Sequence, residues 1–425
     1  MEKWNAKLAV IAASPPETNK VIPLMDRVLS FHVEQWATAQ PFRIAGRTFG
    51  TFDCVVAELA EDGNVGRGEA LGVFYIDDQL PAVVAQLESV RTEIQRGINR
   101  EDLQSLLKPG GARHCLDMAL WDLESRRLGK SAWTLAGVAA APVETVYTIG
   151  LEREPEAMAE KAAKAPHPLL KVKLDSDRPV ERIEAIRKRC PDARLTVDAN
   201  QGWSFEQLQE VAEPMRKLGV IFIEQPLPRG EDEVLEDYKA SLPLCADESC
   251  QHLGELDVAS RRYQMINIKL DKCGGLTEGL ALAKAARANN LGLMVGCMGG
   301  TSLSMAPAHV LAQLCDFVDL DSPLLLKNDR MGGLVYRAGQ AVPGPDFCWG
   351  TEVQGHERHA AGIRRLPILR TGGRRAGAGR RAALPMGRPG GCRTCRRHRE
   401  RLERLVGVCS VAGEGVGATC ARAFL

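Results

Sequence analysis

From Thr145 onward the chain sets short apolar runs at regular intervals. They are Val146–Leu151, Leu169–Leu174, Leu195–Val197, Val220–Ile223, Leu242–Ala246, Met265–Leu270, Leu291–Val295 and Phe317–Leu320. Stretches with helical periodicity lie between them, such as Val180–Arg189, Phe205–Leu218 and Gly279–Asn289. Strands that are apolar on both faces and joined through helices belong to parallel sheets covered on both sides. Eight such strands, spaced about 25 residues apart, predict an α/β barrel, with an open doubly wound sheet as the alternative. The preceding residues have another texture. Leu29–Trp36 and Asp53–Leu59 read as strands, and Asp62-Gly63 and Gly66 as turn chemistry. Helical patterns follow over Gln79–Gln95, Arg100–Leu107 and Arg113–Leu128, completing an α+β unit.

Composition narrows the class. The 425 residues are 45% hydrophobic and 26% charged, which excludes bulk disorder. No apolar run reaches about 18 residues, so no membrane span is expected. Leu8–Ala13 is too short for a signal peptide. The net charge of +1 conceals an asymmetry, because Thr351–Leu425 holds 16 Arg and 5 Glu with no Lys or Asp. The first 350 residues carry 39 basic and 49 acidic side chains, and such an acidic body does not suit nucleic acid. Thirteen unpatterned cysteines read as reduced thiols in a cytoplasm. The monotonous Gly-Arg-Arg tail, residues 351–425, reads as a GC-rich gene translated out of frame. A genuine basic tail for RNA or membrane, or a zinc site at Cys392, Cys395 and His398, are the other readings.

The chemistry-bearing residues stand at strand ends. Lys171 and Lys173, Asp198 and Asn200, Glu224 and Gln225, Asp247 and Glu248, Lys269 and Asp271, Cys297, then Asp319 and Asp321 each close an apolar run. In a barrel all of them surround one mouth, the face where such enzymes act. Three carboxylates on consecutive strands, Asp198, Glu224 and Asp247, repel one another unless a cation sits between them. Hard oxygen donors without His or Cys select Mg²⁺ or Mn²⁺. Lys173 and Lys269 flank this trio from opposite sides, and a buried Lys whose pKa falls toward neutrality serves as a general base. The combination suits removal of a proton α to a metal-bound carboxylate, with the metal stabilising the ene-diolate, chemistry known from enolase-type sites. A Lys on each face then inverts the carbon.

Five motifs in order carry a resemblance to a known family. Lys171-Val172-Lys173, Val197-Asp198-Ala199-Asn200, Ile223-Glu224-Gln225-Pro226, Ala246-Asp247-Glu248-Ser249 and Asn267-Ile268-Lys269 resemble the muconate-lactonizing-enzyme-like branch of the enolase superfamily. The likeness spans about residues 28–350. It implies a modified (β/α)₇β barrel over residues 139–330 and an N-terminal α+β capping domain over 28–138. Residues 331–350 would return to the cap, after an irregular extension at 1–27. It also implies that Lys173 and Lys269 are the acid/base pair, that Lys171 lends positive charge near the substrate carboxylate, and that the protein is a homo-oligomer.

Substrate class rests on the last strand. Alternation puts Asp319 and Asp321 on one face, the barrel interior, where two carboxylates away from the three metal ligands could bind an ammonium. The motif resembles that of dipeptide epimerases, as do Cys297-Met298 and Thr301–Ser304. Pro41–Thr48 resembles the family's mobile substrate loop, with Gly46 and Gly50 giving it freedom. Arg47 in it resembles the residue that meets an acidic side chain in Ala-Glu epimerases, and a solvated loop Arg is the plain alternative. The implied substrate is a dipeptide of Ala-Glu type. An N-acyl amino acid racemase acting on N-acetylglutamate would share every catalytic residue, and a cycloisomerase or an o-succinylbenzoate-synthase-like enzyme is a further alternative. Trp203 and Glu248 fall near the mouth, Asp175 and Asp177 begin a helix, and His114 is expected to pack.

Overall fold

A computed structural model describes residues 27–351; the expectations for the N-terminal extension and for the tail beyond Thr351 lie outside the described residues. The cap begins with an antiparallel sheet of β1 (Val28–Ile44), β2 (Arg47–Glu61) and β3 (Asn64–Ala70), in that order. Five helices follow: α1 (Leu80–Ser89), α2 (Arg91–Gln95), α3 (Arg100–Leu106), α4 (Gly111–Leu128) and α5 (Ala132–Leu135). The single helix expected over 79–95 is two, because Val90 leaves helical geometry at φ −105° and ψ 6°. Gly66 lies inside β3 rather than in a turn. It serves close packing, since a Cβ there would stand 2.1 Å from the Ala119 carbonyl of α4, and one on Gly68 would stand 1.9 Å from that of Cys115. Val55, Leu59, Leu87, Leu103 and Leu116 fill the cap's own core.

The second part alternates strand and helix. β4 (Val143–Glu144) precedes β5 (Tyr147–Ile149), α6 (Pro155–Lys164), β6 (Leu169–Lys173), α7 (Pro179–Arg189), β7 (Arg194–Asp198), α8 (Phe205–Lys217) and β8 (Val220–Glu224). After a 3-10 turn come β9 (Leu244–Ala246), α9 (Leu256–Arg262), β10 (Met265–Lys269), α10 (Leu270–Cys273), α11 (Leu276–Ala288), β11 (Gly292–Gly296), α12 (Ser302–Ala312) and β12 (Phe317–Val318). Strands β5 to β12 form one parallel sheet in sequence order. The Val146 N–H donates to the Val318 carbonyl at 2.9 Å and joins the sheet's two ends. The strands carry Leu170, Val172, Val197, Ile223, Ala246, Ile268 and Val295 into the barrel's apolar core.

The segment after α13 (Ser322–Leu325) forms the hairpin β13 (Leu334–Arg337) and β14 (Gln340–Pro343), which pairs antiparallel with β4. Its end then docks on the cap: Trp349 Nε1 donates to the Arg67 carbonyl at 3.0 Å, and Gly350 N–H to Asp122 Oδ1 at 2.8 Å. Arg330 adds a clamp between the two parts. It pairs with Glu34 and, at 2.7 Å, with Glu69, whose other oxygen accepts the Thr301 amide at 2.8 Å. Among the described residues no helix is long and apolar enough to cross a membrane.

Gly66→Ala or Gly68→Ala should each lower unfolding stability by about 2 kcal/mol, because backbone oxygens of a packed helix cannot move aside as a side chain can. Urea titration followed by circular dichroism measures it, and an unchanged midpoint would contradict the packing.

Candidate active site

Period-2 alternation along β6 turns Lys171 and Lys173 to the same side, and both are buried. The next two strands end in Asp198 and Glu224, Asp247 directly follows β9, all three are fully buried, and β10 ends in Lys269. The Lys173 ammonium lies 2.6 Å from Asp198 Oδ2, and that of Lys269 lies 2.6 Å from Asp247 Oδ2. Lys171 is shared three ways, at 3.0 Å from Asp198, 2.8 Å from Glu224 and 2.8 Å from Asp319. In an eight-strand ring, β6 and β10 are four strands apart, and so are β8 and β12. The strand ends of Lys173 and Lys269 therefore oppose each other, while Lys171 bridges Glu224 and Asp319 across the ring.

Electrostatics follow from burial and these pairs. Burial pushes the Asp198 carboxyl up, but Lys171 and Lys173 outweigh it and hold it well below its ordinary range. Asp247 is likewise held low, its burial outweighed by Lys269 and Lys272. Glu224 goes the other way, pushed up to about 7 by burial and by the Asp198 charge. Lys269 differs from expectation. Burial lowers its pKa, yet Asp247, Glu224 and Glu248 together outweigh it, so the ammonium is held above its usual value. The neighbouring carboxylates stabilise the proton that burial was expected to loosen.

These residues fit a divalent cation. One oxygen each of Asp198, Glu224 and Asp247 lie within 4.8 Å of one another. Glu224 Oε2 has no hydrogen-bond partner with good geometry, although Lys171 approaches it. Three hard, buried carboxylate oxygens are the donor set of Mg²⁺ or Mn²⁺.

The mouth opens on a cavity between barrel and cap. Lys171, Lys173, Lys269, Cys297, Asp319 and Asp321 line it from the barrel, with Asn200 and Glu248. Phe42, Phe49, Phe52, Phe74 and Tyr75 line it from the cap. Asp319 does not stand apart from the metal trio as the sequence suggested, because Lys171 bridges them. Asp321 Oδ2 accepts the Thr148 amide at 2.6 Å, and burial and the Asp319 charge push its carboxyl up to about 7. Burial also pushes the Cys297 thiol well up, leaving it neutral.

Arg47 is placed differently from the sequence expectation. Residues 41–48 are the tip of the β1–β2 hairpin rather than a free loop, with the turn at Gly46, φ +69°. The Arg47 guanidinium is not part of the cavity wall; it lies over the rings of Phe49 and Phe74, 5.0 and 4.5 Å from their centroids. Trp203 is buried and donates to the Asp175 carbonyl at 2.9 Å instead of reaching the cavity. His114 packs fully buried with its pKa lowered to about 4 by burial, 3.8 Å from Asp271.

Three contributors had been given no role from the sequence. Asn267 donates to Glu224 Oε1 at 2.8 Å, and alternation from Lys269 would have found it. Asp271 accepts the Leu71 and Gly72 amides, each at 3.1 Å, and so roots the cap loop that carries Phe74 and Tyr75. Lys272 meets Asp247 Oδ1 at 2.6 Å, from a helix too short to be read as one.

Comparison with known proteins agrees with this layout. Residues 154–340 match the enolase C-terminal domain-like family, and residues 27–137 match the mandelate racemase / muconate lactonizing enzyme N-terminal domain. Over 318 residues the chain is 42% identical to an L-Ala-D/L-Glu epimerase of Escherichia coli (strain K12), covering 74% of this chain and 99% of that one. The chain belongs to the enolase superfamily. It is an isomerase of the racemase and epimerase kind found among these relatives. It is also 37% identical over 300 residues to an N-acetyl-D-glutamate racemase of Pseudoalteromonas, covering 70% of this chain and 95% of that one. A solved superfamily member from Agrobacterium tumefaciens, holding sodium and L-Ala-L-Glu, matches with a TM-score of 0.74 at 39% identity over 76% of this chain and 99% of its own. The dipeptide epimerase of Methylococcus capsulatus, complexed with Mg and L-Arg-D-Lys, matches at 0.70 and 29% identity, covering 75% and 98%.

The raised Asp321 carboxyl gives a pH test. Its proton is held more tightly in the fold than in the unfolded chain, so its contribution is complete below pH 3.8 and fades as pH rises through about 7. Asp321→Asn should flatten the fall in unfolding stability between those limits, measured by urea titrations across the range. An unaltered slope would show that Asp321 does not carry it.

Proposed function

We propose that the chain is a Mg²⁺-dependent dipeptide epimerase that inverts the α-carbon of the C-terminal residue, with Ala-Glu-type peptides as its substrates. The observation that carries this is the opposition of Lys173 and Lys269 across the barrel mouth, with an acidic pair on a third side. When held by Asp198, Glu224 and Asp247, Mg²⁺ supplies Lewis-acid stabilisation to the substrate carboxylate next to the reacting carbon. Lys171 adds fixed positive charge at the same end. One lysine takes the α-proton, and the other returns a proton from the opposite face.

The acidic pair orients the substrate. Asp319 and Asp321 line the cavity and would take the ammonium of a substrate whose carboxylate meets the metal end. Incoming ammonium offsets the mutual repulsion that keeps a proton on Asp321. An N-acyl amino acid has no such group to offer. The aromatic wall of the cap excludes water from the reacting centre. Arg47 lies beside that wall and would meet a glutamate side chain by swinging from the faces of Phe49 and Phe74. Peptides of this kind come from peptidoglycan turnover. The nine cysteines of the described residues are all free thiols, which supports a cytoplasmic enzyme. A homo-oligomer remains part of the reading on family likeness.

Lysine variants separate the two faces. Lys173→Ala should lose α-deuterium exchange in D₂O for one epimer of the dipeptide and Lys269→Ala for the other, while both lose net epimerisation by about 10²-fold or more. Mass spectrometry of each pure epimer reads the exchange. A variant that interconverts epimers at the wild-type rate contradicts the two-base mechanism.

A further inference from the structure

Lys272 has no part in the reading so far. It stands on α10 three residues beyond Lys269, and its side chain is fully buried. An ammonium taken out of water must find oxygens in its place. Lys272 Nζ donates to Asp247 Oδ1 at 2.6 Å, to the backbone carbonyl of the same Asp247, to the Asn267 carbonyl at 3.0 Å and to the Cys250 carbonyl at 3.2 Å. Two of these four oxygens belong to one residue. Nζ therefore grips the carboxylate and the main chain of Asp247 together and fixes its side-chain torsions. Gln225 Oε1 secures the other flank by accepting the Asp247 amide at 3.0 Å. With Oδ1 occupied, Oδ2 remains for the ion cluster, 2.6 Å from Lys269.

We propose that Lys272 is a positioning residue that restricts Asp247 to ligation through Oδ2 alone, and so sets the affinity and size preference of the cation site. This rests on the assignment of Asp198, Glu224 and Asp247 as the metal ligands. The chemistry is general. Mg²⁺ demands near-octahedral geometry and short bonds to single oxygens, whereas Ca²⁺ accepts both oxygens of one carboxylate. Partners that orient a metal ligand are worth about 10- to 100-fold in metal affinity.

The test measures binding without turnover. Lys272→Met keeps the apolar stem and removes the charge and its donors. In the full-length protein without substrate, Mn²⁺ binding is followed by electron paramagnetic resonance, with Mg²⁺ and Ca²⁺ as competitors. The variant should bind Mn²⁺ and Mg²⁺ about 10-fold or more weakly and Ca²⁺ with a smaller loss, so that the preference moves toward Ca²⁺. Wild-type affinities and an unmoved preference would overturn the proposal. Asp198→Asn guards the underlying assignment: a wild type that binds no Mn²⁺, or an Asp198→Asn variant that binds as well as wild type, defeats the metal site itself. Thermal unfolding checks the fold. If the Met variant does not fold, Lys272→Gln, which removes the charge but keeps a polar amide, should shift the preference in the same direction. If neither folds, or if Gln leaves affinity and preference unmoved, Lys272 is a structural bolt and the proposal fails.

Discussion

Three carboxylates converging from adjacent strands cannot all ionise in a buried site without positive charge among them, and the rest of the mouth is arranged around that constraint. Asp198, Glu224 and Asp247 are fully buried, and four buried ammoniums, on Lys171, Lys173, Lys269 and Lys272, surround them. Asp198 and Asp247 each touch two of these and are held in their charged form, whereas Glu224, closest to Lys171 alone, is pushed upward. A divalent cation completes what the lysines begin. The parallel ring makes the convergence possible, since each strand delivers one polar end to the same face.

Ring position then determines what each charge can do. Opposed strand ends bring Lys173 and Lys269 to opposite sides of the mouth, and Lys171 ties the carboxylate trio to Asp319. The cap closes over this frame as an aromatic wall rather than as more charge. Its attachment is polar and buried, through Arg330 with Glu34 and Glu69, and through Asp271 with the Leu71 and Gly72 amides. Asp271 sits two residues from Lys269, so the cap loop is anchored beside the strand that carries it.

Most of the barrel was legible because buried parallel strands write continuous apolar runs and end in charged residues that meet at one mouth. Lys173, Asp198, Glu224, Asp247 and Lys269 were all visible in this way. Less was legible where geometry depends on a neighbour far along the chain. Gly66 looked like a turn because nothing local announces that Ala119 of α4 presses on it. Arg47 looked like a loop residue because a long twisted hairpin has the same polar tip as a loop. Asp319 looked separate from the metal trio because Lys171 reaches it across 148 residues of sequence. Lys272 left no signal, since its four-residue helix is too short for periodicity to show.

The account stands most directly on one measurement. Wild-type protein is incubated in D₂O with Mg²⁺ and either L-Ala-L-Glu or N-acetyl-L-glutamate, and each product is resolved by chirality and mass. The account predicts deuterium at the α-carbon of the C-terminal glutamate, accumulation of L-Ala-D-Glu, and loss of both in EDTA. Exchange of N-acetylglutamate with no exchange of any dipeptide would contradict it.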